Sequence, residues 1–486
     1  MSSVPREKWW KIQWYSKDDT PEERKFIVKL DALLVPYLLV AYWVKHLDQA
    51  NLSNAYVAGM KEDLGFHGNE LVQLQSMYSI GVVFGQIPFV FLFTYIPMYW
   101  TIPFMDVMWG VFTLLQYRAT SFGQMAAYRF FAAFFPAVHF VLGSWYRGHE
   151  INRRGGVFYT GYGLGSMTSS LLASAATSNL HGVYGLAGWR WLYIICFVIT
   201  IPVGIIGFFV LPGTVAQPNR WFLSKEDIEV AKRRLERDGH RTSGKLKVRH
   251  IRRTLTSPRF WAVAFIDILW KNAGLYKTQG SYLLWIKSLG RYSASKVNQL
   301  GSIAPGLGIF WALLACFASD LLIGPVWAIC FSSLWNSVCC LILTIWNVPE
   351  GALWFAFTTS FWANVMSTVF HGWVNNLLRD SPEERSFTLV LINTIAEATT
   401  AVIPLGVFRT IESPTFPKGY PFCFGCAVGV IVVTLALAWY EKRNQRLRIQ
   451  RDDVEDSGLE NDESISVSPN EQGLTVQSSN IGKAKL

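Results

Sequence analysis

The stretch LLVPYLLVAYWVKHLDQANLSNA (33–55) reads as a membrane helix that interrupts its own pattern. Its opening is apolar and aromatic, yet Lys45, His46 and Asp48 then fall within about one helical turn. An ionised side chain at the centre of a bilayer costs about 3 kcal/mol on insertion scales, so such groups face a protein interior or a water-filled path. Helical spacing puts Lys45, Asp48 and Gln49 on one face, and Asn51 follows Asp48 by one turn. Two readings stay open. In the first, Lys45 receives a carboxylate, Asp48 takes up and releases a proton, and Asn51 offers uncharged hydrogen bonds. In the second, Lys45 and Asp48 neutralise each other and lock the helix. Asn51-Leu-Ser53 is formally a glycosylation sequon, but at membrane depth no modification is expected.

The rest of the chain extends the membrane reading. Of 486 residues, 51% are apolar and only 16% charged, against roughly 25% charged in an ordinary soluble domain. The charges cluster between apolar runs near 32–58, 71–95, 99–118, 122–145, 157–178, 189–211, 260–286, 299–319, 325–347, 351–374, 386–408 and 420–440. Crossing a bilayer takes roughly 20 residues, and each run is about that long. The expected fold class is therefore an all-α membrane protein with two six-helix halves, 32–211 and 260–440. A cytoplasmic N-terminal segment (1–31) precedes them, a basic cytoplasmic loop (212–259) separates them, and a cytoplasmic tail (441–486) follows.

The loop contains KEDIEVAKRRLERDG (225–239), an amphipathic surface helix by pattern, and then KLKVRHIRR (245–253). Lys and Arg concentrate in the segments that share a side with both termini, which places those termini in the cytosol. That distribution also explains the net charge of +10 without nucleic acid. From about 452 the tail is acidic, then rich in Ser and Asn, and is expected to be disordered. No cleavable signal peptide is expected in the polar, basic start. The seven cysteines lie in apolar segments, and the CxxC at Cys423 and Cys426 lacks a second pair to complete a zinc site.

Several stretches carry a family likeness: LDQANLSNAYVAGMKEDL (47–64), YRFFAAFF (128–135), FVLGSWYRGHEINRRGG (140–156), GLAGWRWLYII (185–195) and PKGYPF (417–422). With these the chain resembles the fungal anion:cation symporters of the major facilitator superfamily, the allantoate permease family, with most likeness to the pantothenate permeases. The resemblance implies a twelve-span fold and a plasma-membrane, proton-coupled permease for an organic monocarboxylate that works by alternating access. Pantothenate is the leading substrate expectation; allantoate, nicotinate or biotin are alternatives, as is a non-transporting nutrient sensor on the same fold. The implied partners are a small organic anion, protons and the lipid bilayer. In two places the pattern departs from the family. Pro136 stands where relatives carry a glutamate seven residues after the arginine that matches Arg129, and TYIPMYW (94–100) lacks the usual basic residue of that turn.

Other ionisable groups in apolar runs complete the candidate set. Arg129 cannot lose its charge, and its planar fork suits a carboxylate; the competing reading is an anchor at the headgroups. Lys277, in NAGLYKTQG (272–280), sits among glycines that suggest a broken helix, where transporters expose backbone to substrate. The alternative there is an Asp267–Lys271 pair at i,i+4 with Lys277 snorkelling. Glu397 is the proton-coupling candidate of the second half, beside a lone His371. Substrate-binding candidates are thus Lys45, Asn51, Arg129 and Lys277, and proton-coupling candidates are Asp48 and Glu397. Gly161, Gly165, Ser169 and Ala173 repeat every four residues, a close-packing stripe rather than a nucleotide loop. No Walker lysine, HExxH or GxSxG motif occurs, so an enzyme, a cofactor and a metal centre are not expected.

Overall fold

Thr20 starts the first helix. Its hydroxyl accepts from the Glu23 amide at 3.2 Å, and the Glu23 carboxylate accepts from the Thr20 amide at 2.9 Å, a reciprocal cap ahead of Pro21. Helix α1 then runs from Pro21 to Ala55 and continues through a widened turn, Tyr56–Met60, that needs Gly59 at φ 112°. A side chain there would be strained in that backbone conformation. The computed structural model describes residues 19–135, 145–146, 148–215, 217–219, 221–237, 248–274, 278–378 and 382–466. Pro136 and the candidate Lys277 lie outside them.

The chain forms two compact units, 1–435 and 436–486. In the first, α1 is followed by α2 (Glu70–Tyr95), α3 (Met98–Leu115), α4 (Phe122–Phe134), α5 (Gly148–Asn179) and α6 (Gly188–Val210). Helices α7 (Lys225–Arg237) and α8 (Val248–Leu255) belong to the central loop. Then come α9 (Pro258–Ala273), α10 (Thr278–Ser288), α11 (Ala294–Gly301), α12 (Ile303–Ala318), α13 (Gly324–Ile345), α14 (Glu350–Thr359), α15 (Ser367–Leu377), α16 (Pro382–Val407) and the start of α17 (Gly419–Ser466). Among the described residues there is no β-strand, only an isolated bridge between Gly213 and Pro218. Seven described helical stretches are long and apolar enough to cross a membrane. Helix α9 ends at Ala273 with Gly274 as its cap, and α10 begins at Thr278.

Small residues set the packing. A methyl group at Gly165 would overlap the Trp43 carbonyl oxygen, and one at Gly161 would lie 2.9 Å from that of Leu39. The small-residue stripe of α5 is therefore the seat of α1. Gly81 and Gly85 do the same for α2 against the backbone of Phe130 and Phe134 in α4. Such close approach is how membrane helices gain packing energy without a hydrophobic difference from lipid. Between the halves, Thr394 on α16 donates to Gln86 on α2 at 3.0 Å, and Ser174 and Ser295 hydroxyls meet at 2.8 Å.

The two ends of the bundle are tied separately. At one, buried Arg154 grips Asp31 through two 2.6 Å bonds, and Tyr146 donates to the same carboxylate at 2.7 Å. Loop helix α7 closes on the start of α1 there: Lys29 meets Asp227 at 2.6 Å and Arg237 meets Glu23 at 3.0 Å. Its apolar residues Ile228 and Ala231 are buried with Phe26 and Leu30, so the amphipathic pattern serves docking onto the protein. At the opposite end Asp63 takes the Trp189 indole and the Arg190 guanidinium, and Glu62 meets Lys287 across the halves at 2.9 Å.

In the second unit the helix of α17 continues to Ser466, so the stretch from 452 to 466 is helical where disorder was expected. The charged residues of that stretch are all acidic and follow the basic block ending at Arg451, which places Arg448 and Arg451 one turn before Asp452 and Glu455. No proline occurs until Pro469, three residues past the helix end.

Candidate functional site

On α3 the residues Asp106, Trp109 and Thr113 recur at i, i+3 and i+7, one face of a helix. That face meets the charged turn of α1. Trp109 is the shared partner: its indole N–H donates to Asp48 Oδ2 at 2.8 Å, and its ring lies 5.7 Å from the Lys45 ammonium. Asp48 is only 3% exposed. The same oxygen receives Thr113 at 3.5 Å and Thr200 of α6 at 3.2 Å, the latter hydroxyl being shared with the Cys196 carbonyl. Neutral donors therefore hold this carboxylate. Its other oxygen, Oδ1, has no hydrogen-bond partner among the described residues.

Asp106 attracts Lys45 most strongly among the carboxylates, with Glu397 of the other half next. Lys45, Asp106, Trp109 and Thr200 line a small cavity between α1, α3 and α6. Asp106 was missed in the sequence reading. It stands alone in the apolar run TIPFMDVMWGVF (101–112), the same signal that singled out Asp48. Arg129 of α4 is 4% exposed and stacks 5.1 Å from the Tyr78 ring, which in turn meets Trp109 edge-on at 5.8 Å. Three candidates thus gather around two aromatic rings, with the Arg129 guanidinium buried inside the bundle.

Asn51 is placed differently. It is fully buried, its amide nitrogen donates to Cys196 Sγ and its oxygen accepts from Ser169 at 2.6 Å. Asn54 extends this by donating to Ser169 and accepting from Ser170. Both ends of the Asn51 amide are used in joining α1 to α5 and α6, with one N–H and one oxygen lone pair left over. His46 also faces α5, between the rings of Tyr42 and Tyr162.

The second charged group belongs to α9, α15 and α16. Asn393 and Glu397 lie one turn apart on α16, and Lys271 reaches both, at 2.8 Å and 3.5 Å. Two acceptors across the interface thus draw Lys271 away from Asp267, and the i,i+4 pair within α9 is replaced by one between helices. Glu397 also accepts from Thr400 at 2.8 Å. His371 bonds the Ser367 carbonyl at 2.8 Å, and the Ser367 hydroxyl meets Tyr159 of α5 at 2.5 Å. Among the described residues no group of His, Cys, Asp and Glu is arranged to hold a metal ion. Chemically, buried lysines with exchangeable carboxylate partners suit anion binding and proton exchange.

Comparison with known proteins agrees with this architecture. The chain is 34% identical to the "Vitamin H transporter" of Saccharomyces cerevisiae, over 90% of this chain and 80% of that protein. It is 28% identical to "Pantothenate transporter liz1" of Schizosaccharomyces pombe, over 89% and 85% respectively. A solved proton:xylose symporter superposes with a TM-score of 0.63 at 13% identity, covering 85% of this chain and 95% of that one, a likeness of fold. The family model described as "Major Facilitator Superfamily" matches residues 38–404, and the chain belongs to that superfamily as a membrane transporter rather than an enzyme.

Proposed function

We propose that this transporter carries an organic monocarboxylate into the cell across the plasma membrane in symport with protons, with both termini in the cytosol. The observation that carries the reading is the pair of lysines, Lys45 with Asp106 and Lys271 with Glu397, each facing a carboxylate on a neighbouring helix. An incoming carboxylate competes for a lysine; the displaced internal carboxylate then takes a proton instead of remaining buried as an uncompensated charge. In this scheme Lys45 and Lys271 are the groups the anion competes for, and Asp106 and Glu397 the carboxylates that take the proton. Asp48 is a further proton-coupling group and Arg129 a further anion-binding one. Sliding or rocking of the halves then exposes the site alternately to each side.

Pantothenate is the leading substrate, in keeping with the relative named for it. A second reading, biotin (vitamin H), is favoured by the 34%-identical relative. One proton per monoanion makes the cycle electroneutral; a second adds the membrane potential, about 2.3 kcal/mol per 100 mV for each charge. Uptake of labelled pantothenate and of labelled biotin, in yeast lacking its own permeases, tests the proposal. Uptake of one vitamin that falls in alkaline medium and collapses with a protonophore is the expected result. Uptake indifferent to both treatments removes proton coupling, and uptake of neither vitamin removes both substrates.

A further inference from the structure

Asp267 is the buried carboxylate that the scheme above does not use. It is 0% exposed, and neither of its oxygens has a hydrogen-bond partner among the described residues. Two other carboxylates of the site are treated otherwise: Asp48 receives hydrogen bonds from Trp109, Thr113 and Thr200, and Glu397 holds Lys271 and Thr400. An ionised carboxylate buried without donors is too costly to persist, whereas a carboxylic acid in the same place is neutral. The charged and titratable groups facing it are Lys271 on its own helix, His371 on α15, Glu397 on α16 and Tyr159 on α5. Of these, Lys271 lies one turn along α9, within reach by a change of rotamer.

We infer that Asp267, in place of Glu397 in the scheme above, is the proton-carrying acid of the C-terminal half, protonated in the state seen here and deprotonated when Lys271 swings to it from Glu397. In that step the Asp267 O–H bond breaks and the proton passes to water on the cytosolic path. The carboxylate left behind is compensated by the Lys271 ammonium, while Lys45, the electrostatic neighbour of Glu397 across the halves, faces the carboxylate that Lys271 has left. The flux part of this inference rests on the proton-symport reading; the protonation part does not.

Two measurements on the purified full-length protein separate them. Infrared difference spectroscopy of wild type against Asp267→Asn, without substrate and at neutral pH, is expected to show loss of a protonated-carboxyl C=O band. Loss of carboxylate bands alone overturns the inference. In proteoliposomes, a one-unit pH gradient (about 1.4 kcal/mol) drives about tenfold accumulation of pantothenate or biotin if one proton accompanies each anion. Asp267→Asn is expected to lose that accumulation, with vitamin exchange at equal pH reduced far less, and Asp267→Glu to keep accumulation. Undiminished accumulation by Asp267→Asn overturns the carrier role. If Asp267→Asn does not fold, Asp267→Glu must shift the carboxyl band, and an unmoved band overturns the assignment. A wild-type protein with the band but no flux of either vitamin leaves Asp267 as the resident acid and removes the symport reading instead.

Discussion

Asp48 and Asp267 are both buried carboxylates, one in each half, and their surroundings are opposite. Asp48 lies among an indole and two hydroxyls that donate to it, so its charge is solvated by neutral groups. Asp267 lies near a lysine, a histidine and a glutamate, yet among the described residues no donor reaches it. Burial alone therefore does not decide the state of a carboxylate. The donors do, because hydrogen bonds to the charged form are what offset its desolvation. The lysines differ correspondingly: Lys45 rests on the Trp109 ring beside Asp106, whereas Lys271 is committed across an interface to Glu397.

The largest expected effect lies in the C-terminal half. Lys271→Ala leaves Glu397 without its cation, and removing one partner of a buried pair costs about 3–5 kcal/mol. Glu397 is 29% exposed, so the lower end of that range applies. The double change Lys271→Ala/Glu397→Gln should restore most of the stability, since no uncompensated charge then remains. Thermal unfolding of the purified protein, read beside surface level, measures both. A single variant as stable as the double would mean that Lys271 is not neutralising Glu397, and the contrast between the halves would fail.

In the N-terminal half the sharpest probe is Trp109→Phe. It keeps a ring for Lys45 but removes the 2.8 Å donor to Asp48. A hydrogen bond to a charged group contributes about 1.5–3 kcal/mol, and a loss of that order is expected. The substitution also makes the surroundings of Asp48 resemble those of Asp267. A new protonated-carboxyl band in the infrared spectrum should accompany it, and Asp48→Asn in the same background should remove that band. An unchanged spectrum would show that the two hydroxyls suffice to hold the charge. Next in size is Asn51→Ala, expected to cost about 1–2 kcal/mol through lost hydrogen bonds to Ser169 and Cys196. Surface level should fall while KM stays unchanged; a raised KM would return Asn51 to the substrate site.

Much of this was legible in the sequence, for identifiable reasons. A charge in an apolar run is costly, so Lys45, Asp48, Arg129 and Glu397 declared themselves as buried or path-lining groups. The i,i+4 repeat of Gly161, Gly165 and Ser169 named the face that α1 packs on, because only small residues permit that approach. Partner choice was not legible. Spacing within α9 favoured Asp267 for Lys271, but Asn393 and Glu397 come from a helix more than a hundred residues away in sequence. The polar capacity of Asn51 looked free for the same reason, since Ser169 and Cys196 meet it only after folding. Asp106 is a different case: its signal was present in the sequence and was passed over.

The smallest effect concerns a third carboxylate–lysine pair, outside the membrane-spanning segments, which serves as the reference for the other two. Asp227 of α7 meets Lys29 of α1 at 2.6 Å. Partial burial pushes its pKa up, but hydrogen bonds from Lys29 and Ser224 outweigh that and hold it below the ordinary carboxylate value. A carboxylate with a lowered folded-state pKa contributes stability above its unfolded pKa, about 4, and loses it as pH falls through the folded value. Between pH 5 and 8 this pair therefore does not titrate. Lys29 is 36% exposed, so Lys29→Ala should cost no more than about 1 kcal/mol, and less in high salt. The uptake-against-pH curve of Lys29→Ala should then keep the wild-type midpoint, in contrast to Asp267→Asn. A shifted midpoint in Lys29→Ala would place part of the pH response at the loop, and the pairing of pH sensitivity with the buried carboxylates would no longer stand.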